Sequence, residues 1–138
     1  MPDFVATHRI THEACRKMLD AGIAKANELG APVSLAVVDQ GGTLIAFLRM
    51  DGARFFSGRA TIKKAITSAS QRLPSGYFPK EGEVSMMIRM DGDFTNVPGG
   101  FPVTIAGQVV GGVAAGGAKV EQDVEVARAA LAALGPLA

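Results

Sequence analysis

The chain has no tryptophan, one tyrosine and one cysteine. A lone cysteine cannot form an intramolecular disulfide, so the fold must be held by its core, and a reducing compartment suits it. No charge of one sign dominates: 14 Lys and Arg stand against 13 Asp and Glu, a net charge of +1. With that balance and no basic stripe, there is no electrostatic footprint for nucleic acid. No apolar run approaches the roughly 18 residues that a membrane-spanning helix needs. The segment from Met1 to His12 has no basic region followed by an apolar one, so no signal peptide is expected and the protein reads as cytoplasmic.

Several motifs are missing as well. There is no Cys-x-x-Cys or His-Glu-x-x-His, no Gly-x-Gly, no Gly-Lys-Ser/Thr and no Gly-x-Ser-x-Gly. These absences remove the common zinc sites, the dinucleotide fingerprint, the phosphate-binding P-loop and the serine-hydrolase elbow.

What is present is an apolar chain of 138 residues, 48% of them hydrophobic. Its length fits one domain, residues 1–138. So much apolar surface on a small chain favours burial between copies, hence a homo-oligomer. Thr11 is placed to cap a first helix, with Ile10 stapled onto Cys15; Gly30 and Pro32 end it. Two strands, Val33–Val38 and Thr43–Leu48, flank the turn Asp39-Gln40-Gly41-Gly42. A second helix is expected from Ser57, as N-cap, to about Gln71. Ile62, Ala65, Ile66 and Ala69 form its stripe, with Lys63, Lys64, Thr67 and Ser70 off it. The stretch from Leu73 to Gly100 is rich in proline and glycine and reads as loop, with a short helix inside Glu81–Met90. Strands follow at Phe101–Ala106 and Gln108–Ala115. A last helix presents Val120, Val124, Ala127, Leu131 and Leu134 on one face. An antiparallel sheet with helices outside it satisfies this order.

Few side chains are candidates for chemistry. His8 and His12 are the only histidines. His12 falls in the first turn of a helix, where the dipole favours a neutral imidazole, a competent metal or haem ligand. Its plain alternative is an exposed helix-start residue. Tyr77 is a weaker ligand candidate than a loop-packing residue. Met86, Met87 and Met90 suit a core or an interface. Arg49 and Asp51 share a face at a strand end. Arg49 either pairs with a carboxylate such as Asp51 or Asp123, or clamps an acidic ligand. Lys64, beside Thr67, is either a solvated lysine or a second cation on that ligand. Asp39 serves as a turn former or as a base.

The run V-S-L-A-V-V-D-Q-G-G-T-L-I-A-F-L-R-M-D-G-A, from Val33 to Ala53, resembles the signature of the GlcG/HbpS-like haem-binding family, which also supplies the C-terminal domain of PduO-type cobalamin adenosyltransferases. The resemblance continues through A-T-I-K-K-A-I-T-S-A (Ala60–Ala69), Gly99-Gly100-Phe101-Pro102-Val103, Gly107–Gly117 and Glu121-Gln122-Asp123. It implies an α/β (α+β) fold, a profilin-like sandwich with a central antiparallel sheet of about five strands flanked by helices. It also implies assemblies from dimer to octamer, haem binding in some members and an accessory role in catabolic pathways. Gly116 departs from the pattern, because relatives tend to carry serine there.

Two functions follow as expectations. In the first, the protein binds haem or another tetrapyrrole. Arg49 and Lys64 hold its propionates, Asp51, Thr67 and Gly116 lie near, and His12 approaches the iron as the metal ligand. In the second, it is a cofactor-independent enzyme acting by proton transfer on a small organic acid, in a pocket between subunits. Asp39, Asp51, Glu83 or His12 is then the base and Arg49 fixes the carboxylate. A structural or regulatory partner without chemistry is a third reading.

Overall fold

The computed structural model of the chain describes residues 2–136. Its elements are α1 (His12–Leu29), β1 (Ser34–Asp39), β2 (Leu44–Arg49), α2 (Phe56–Gln71), a 3-10 turn (Lys80–Gly82), α3 (Glu83–Arg89), β3 (Gly100–Ile105), β4 (Gln108–Gly116) and α4 (Val120–Ala132). The strands form one antiparallel sheet in the order β2-β1-β4-β3, four strands rather than the five expected. Among the described residues no helix is long and apolar enough to cross a membrane.

Strand alternation splits the interior into two faces. Val37, Val103 and Val113 pack with Ile10, Cys15, Met18 and Ala130 beneath α1 and α4. Ala36, Val38 and Ala114 point the other way, onto Ala65 and Ala69 of α2. The first helix forms as its sequence dictates. Thr11 Oγ1 accepts the Ala14 N–H at 3.1 Å, and Gly30 closes the helix at φ 64°. In the hairpin turn, Asp39 Oδ1 accepts the N–H groups of Gly41 at 2.9 Å and Thr43 at 3.0 Å. That is the turn-forming role.

Two local expectations need correction. Ser57 is not the N-cap of α2: Phe55 is, and the Ser57 hydroxyl lies inside the helix, donating to Arg54 O at 2.6 Å and meeting Ser34 Oγ at 3.0 Å. The buried side of α4 is Asp123, Val126, Ala127 and Ala130, so of the expected face Ala127 is buried, Leu131 and Leu134 pack against the core, and Val120 is exposed. Apolar residues ring this helix, so small alanines that permit close approach decide which side faces in. The short helix expected inside Glu81–Met90 forms as α3, with Val84, Met87 and Ile88 exposed.

The long crossover is held by side chains standing in for a ladder. Asn96 accepts the Phe78 N–H at 3.0 Å and donates to Phe78 O at 2.9 Å and to Glu83 Oε2 at 3.0 Å. Ser75 Oγ donates to Val97 O at 2.7 Å and accepts the Gly100 N–H at 2.9 Å. Phe78 and Phe94 meet edge to face at 5.3 Å.

Helix α2 approaches the sheet so closely that β4 has no room for a side chain at position 112. A Cβ on Gly112 would lie 2.4 Å from Ala65 O and 3.0 Å from Ser68 Oγ. Gly112→Ala should therefore cost about 1–3 kcal/mol by overpacking, read as a lower urea midpoint. An unchanged midpoint would contradict this packing.

Candidate functional site

The most polar part of the interior is built around Lys64. This lysine is 3% exposed, as is Asp123. Its Nζ donates to Asp123 Oδ2 at 3.1 Å and to Ala115 O at 3.0 Å. Asp123 Oδ1 accepts the Ala118 N–H at 3.0 Å. Burial pushes the Asp123 carboxyl above its ordinary range, against the pull of Lys64 and the amide hydrogen bonds. Glycines make the slot. A Cβ on Gly99 would stand 2.9 Å from Lys64 Nζ, and one on Gly116 would stand 3.4 Å from that nitrogen and 2.4 Å from Thr61 Oγ1. Lys64 thus passes the end of the sheet and joins α2 on one face to α4 on the other.

This corrects the expectation of Lys64 as a solvated residue off the buried side of α2. The buried set is Ser57, Gly58, Thr61, Lys64, Ala65, Thr67, Ser68 and Ala69. That stripe is periodic, but in small and polar residues rather than apolar ones. The readable signal was the paired glycines in the facing strands, which require a helix of small residues above them. The departure at Gly116 lies in this slot as well, so a serine hydroxyl there would face Thr61 and Lys64.

The remaining candidates are dispersed. Asp123 is taken by Lys64, so the proposed Arg49–Asp123 pair does not form, and Arg49 is exposed without an ion pair among the described residues. Asp51 is exposed in the turn after β2. Thr67 Oγ1 donates to Lys63 O at 2.7 Å and accepts the Thr95 N–H at 3.0 Å, tying α2 to the crossover. Glu83 is held by Asn96. Tyr77 and Met87 are exposed. His12 Nε2 lies 3.3 Å from Glu13 Oε1 at the exposed start of α1.

His12 and Arg49 are at opposite ends and on opposite faces of the molecule. Arg49 pairs with Ser34, whose hydroxyl meets α2, whereas Ile10, just before α1, bonds Val110 O at the far end of the sheet. The 18 residues of α1, about 27 Å of helix, separate those ends. One chain does not bring His12, Arg49 and Lys64 together.

Beside the start of α1 lies a different constellation. A groove of about 330 Å³ is lined by Ile10, Ala14, Ile105 and Val110, with His8 and Arg9 at its margin. His8 Nδ1 is 2.7 Å from Gln108 Oε1. As donor to that oxygen, the imidazole keeps its Nε2 lone pair for a ligand. His8 thus flanks an apolar depression, whereas His12, in the exposed first turn of α1, is not part of its lining. The sequence reading missed Arg9 and ranked His8 below His12, because the His8–Gln108 contact spans 100 residues. Among the described residues no cluster of three or more His, Cys, Asp or Glu side chains is arranged to hold a metal ion by itself.

Residues 10–132 match the family described as haem degrading protein HbpS-like. The chain belongs to this family. It is 34% identical over 127 residues to an uncharacterized 15.0 kDa protein of the dhaT-dhaS intergenic region of Citrobacter freundii, covering 88% of this chain and 89% of that one. It is 32% identical over 105 residues to protein GlcG of Escherichia coli K12, covering 75% and 78%. The crystal structure of HbpS superposes with a TM-score of 0.87 at 32% identity, covering 97% of this chain and 96% of that one. The crystal structure of the PduOC:haem complex has the same fold, with a TM-score of 0.85 at 24% identity over 92% and 96% of the two chains.

The Lys64–Asp123 bridge makes a sharp stability prediction. Removing one partner, as in Asp123→Ala, strands the other charge and should cost about 3–5 kcal/mol. The double variant Lys64→Met/Asp123→Leu should be less destabilised than either single variant in urea unfolding. Additive losses would contradict coupling between the two side chains.

Proposed function

We propose that this HbpS-like protein binds haem in the groove at the start of α1, with His8 as the residue that would hold the iron. The observation that carries this reading is the His8–Gln108 hydrogen bond at the edge of an apolar groove. With Nδ1 donating to Gln108, Nε2 is the ring nitrogen free to meet a ligand. Ile10, Ala14, Ile105 and Val110 suit the apolar ring of the macrocycle, and Arg9 suits a propionate. Arg9 takes the part expected of Arg49 and Lys64. Membership in a family described by haem chemistry supports the reading, as does the haem held by the structurally similar PduOC.

The groove is at the small end of the range for ligand pockets, about 300–1,000 Å³, and is not an enclosed cavity. The reading therefore includes a second copy of the chain closing over the ligand, so that the homo-oligomer and the site are one feature. His12, in the first turn of α1 but outside the groove lining, is the reserve ligand. Bound haem supplies a redox-active iron, while His8, Arg9 and the groove wall hold and orient it. A cytoplasmic, catabolic accessory role belongs to the same proposal.

A haem titration checks the proposal. The wild-type chain should give a Soret shift that saturates at one haem per chain or per pair of chains. His8→Ala should weaken binding about tenfold or more, equivalent to about 1.4 kcal/mol. His12→Ala should weaken it less. No shift at micromolar haem, or an unchanged titration in the His8→Ala/His12→Ala double variant, would overturn it.

A further inference from the structure

We propose a second ligand site, on the outer side of α2, for an organic anion with an apolar body and a single acid group. Phe56, Arg59, Ala60 and Lys63 follow helical spacing i, i+3, i+4, i+7 and so share one face of α2. Across from them stand Met87 of α3 and Phe94, and the cavity between is about 530 Å³. Phe94 is 2% exposed and forms a fixed floor, while Phe55 and Phe56 are 82% and 69% exposed at the rim. Two adjacent phenylalanines in water are a local feature that the fold itself does not require.

The charges at this cavity all have one sign. Arg59 and Lys63 line it, and no acidic side chain does. Neither cation makes an ion pair among the described residues. Asp91 and Asp93 flank Gly92, yet neither forms a salt bridge with Lys63. Gly92 leaves space beside the lysine, since a Cβ there would stand 3.7 Å from Lys63 Nζ. A guanidinium and an ammonium on one helix turn above an aromatic floor match an aryl or alkyl carboxylate: the fork of Arg59 takes the acid group, and the phenylalanines and Met87 take the body.

A two-fold contact between copies suits this face poorly. With the axis passing through this face, Arg59 and Lys63 would meet the same residues of the other copy, two cations against two cations with loss of water. The site also lies on the opposite side of the sheet from the groove at α1, so either stands without the other.

The test uses 2-naphthoate and its neutral analogue 2-naphthamide, followed by amide chemical shifts. Naphthoate should shift Arg59, Lys63, Gly92 and Thr95, and bind more tightly than naphthamide. Arg59→Gln/Lys63→Gln should weaken naphthoate about tenfold, as expected for loss of charge-assisted contacts, and leave naphthamide unchanged. Phe56→Ser should weaken both, and His8→Ala neither. The surface location of these residues keeps the variants folded. Equal binding of the two probes, shifts confined to Ile10–Ala14, or no shifts at millimolar probe would overturn the proposal. So would sedimentation showing that Phe56→Ser dissociates an oligomer of the wild-type chain.

Discussion

One lysine ties this fold together. Lys64 leaves α2, passes the end of the sheet between Gly99 and Gly116, and reaches Asp123 at the start of α4. A buried ion pair gains little net stability over an apolar pair of the same shape, because both charges must first lose water. Its contribution is positional. The ammonium also holds Ala115 O at the end of β4, and the carboxylate holds the Ala118 amide in the turn that follows. Four chain segments on both faces of the sheet are thereby fixed relative to one another.

That lock decides where ligands can go. The polar groups near it are satisfied: no buried side-chain nitrogen or oxygen among the described residues lacks a hydrogen-bond partner. Lys64 and Asp123 therefore belong to the frame, and the interior around them is closed by the glycines that admit the lysine. The two proposed ligand sites lie outside the lock, on opposite sides of the sheet. One is the apolar groove where α1 begins beside the β3–β4 hairpin. The other is the aromatic and basic face where α2 meets the crossover.

The sequence carried the elements well and their partners poorly. Thr11, Gly30 and the Asp39–Gly42 turn act through neighbours within four residues, and the structure places them as the local pattern requires. Ser57 misled because a serine near a helix start suggests a cap, whereas here its hydroxyl serves Ser34 in the neighbouring strand. Lys64 misled because a charge on a helix is usually solvated, and its partner lies 59 residues away. The His8–Gln108 contact was hidden for the same reason. The dispersal of His12 and Arg49 follows from sheet register, which fixes the end and face of each residue and cannot be read from one strand alone.

The functional account rests on the state of one imidazole. A long-range proton–nitrogen correlation spectrum of the ligand-free protein, recorded near pH 8 where imidazole is neutral, reads it directly. The account predicts that His8 carries its proton on Nδ1 and leaves Nε2 bare, held so by Gln108. A proton on Nε2, with Nδ1 bare, would mean that Gln108 presents its amide nitrogen instead and that His8 is not prepared to ligate iron.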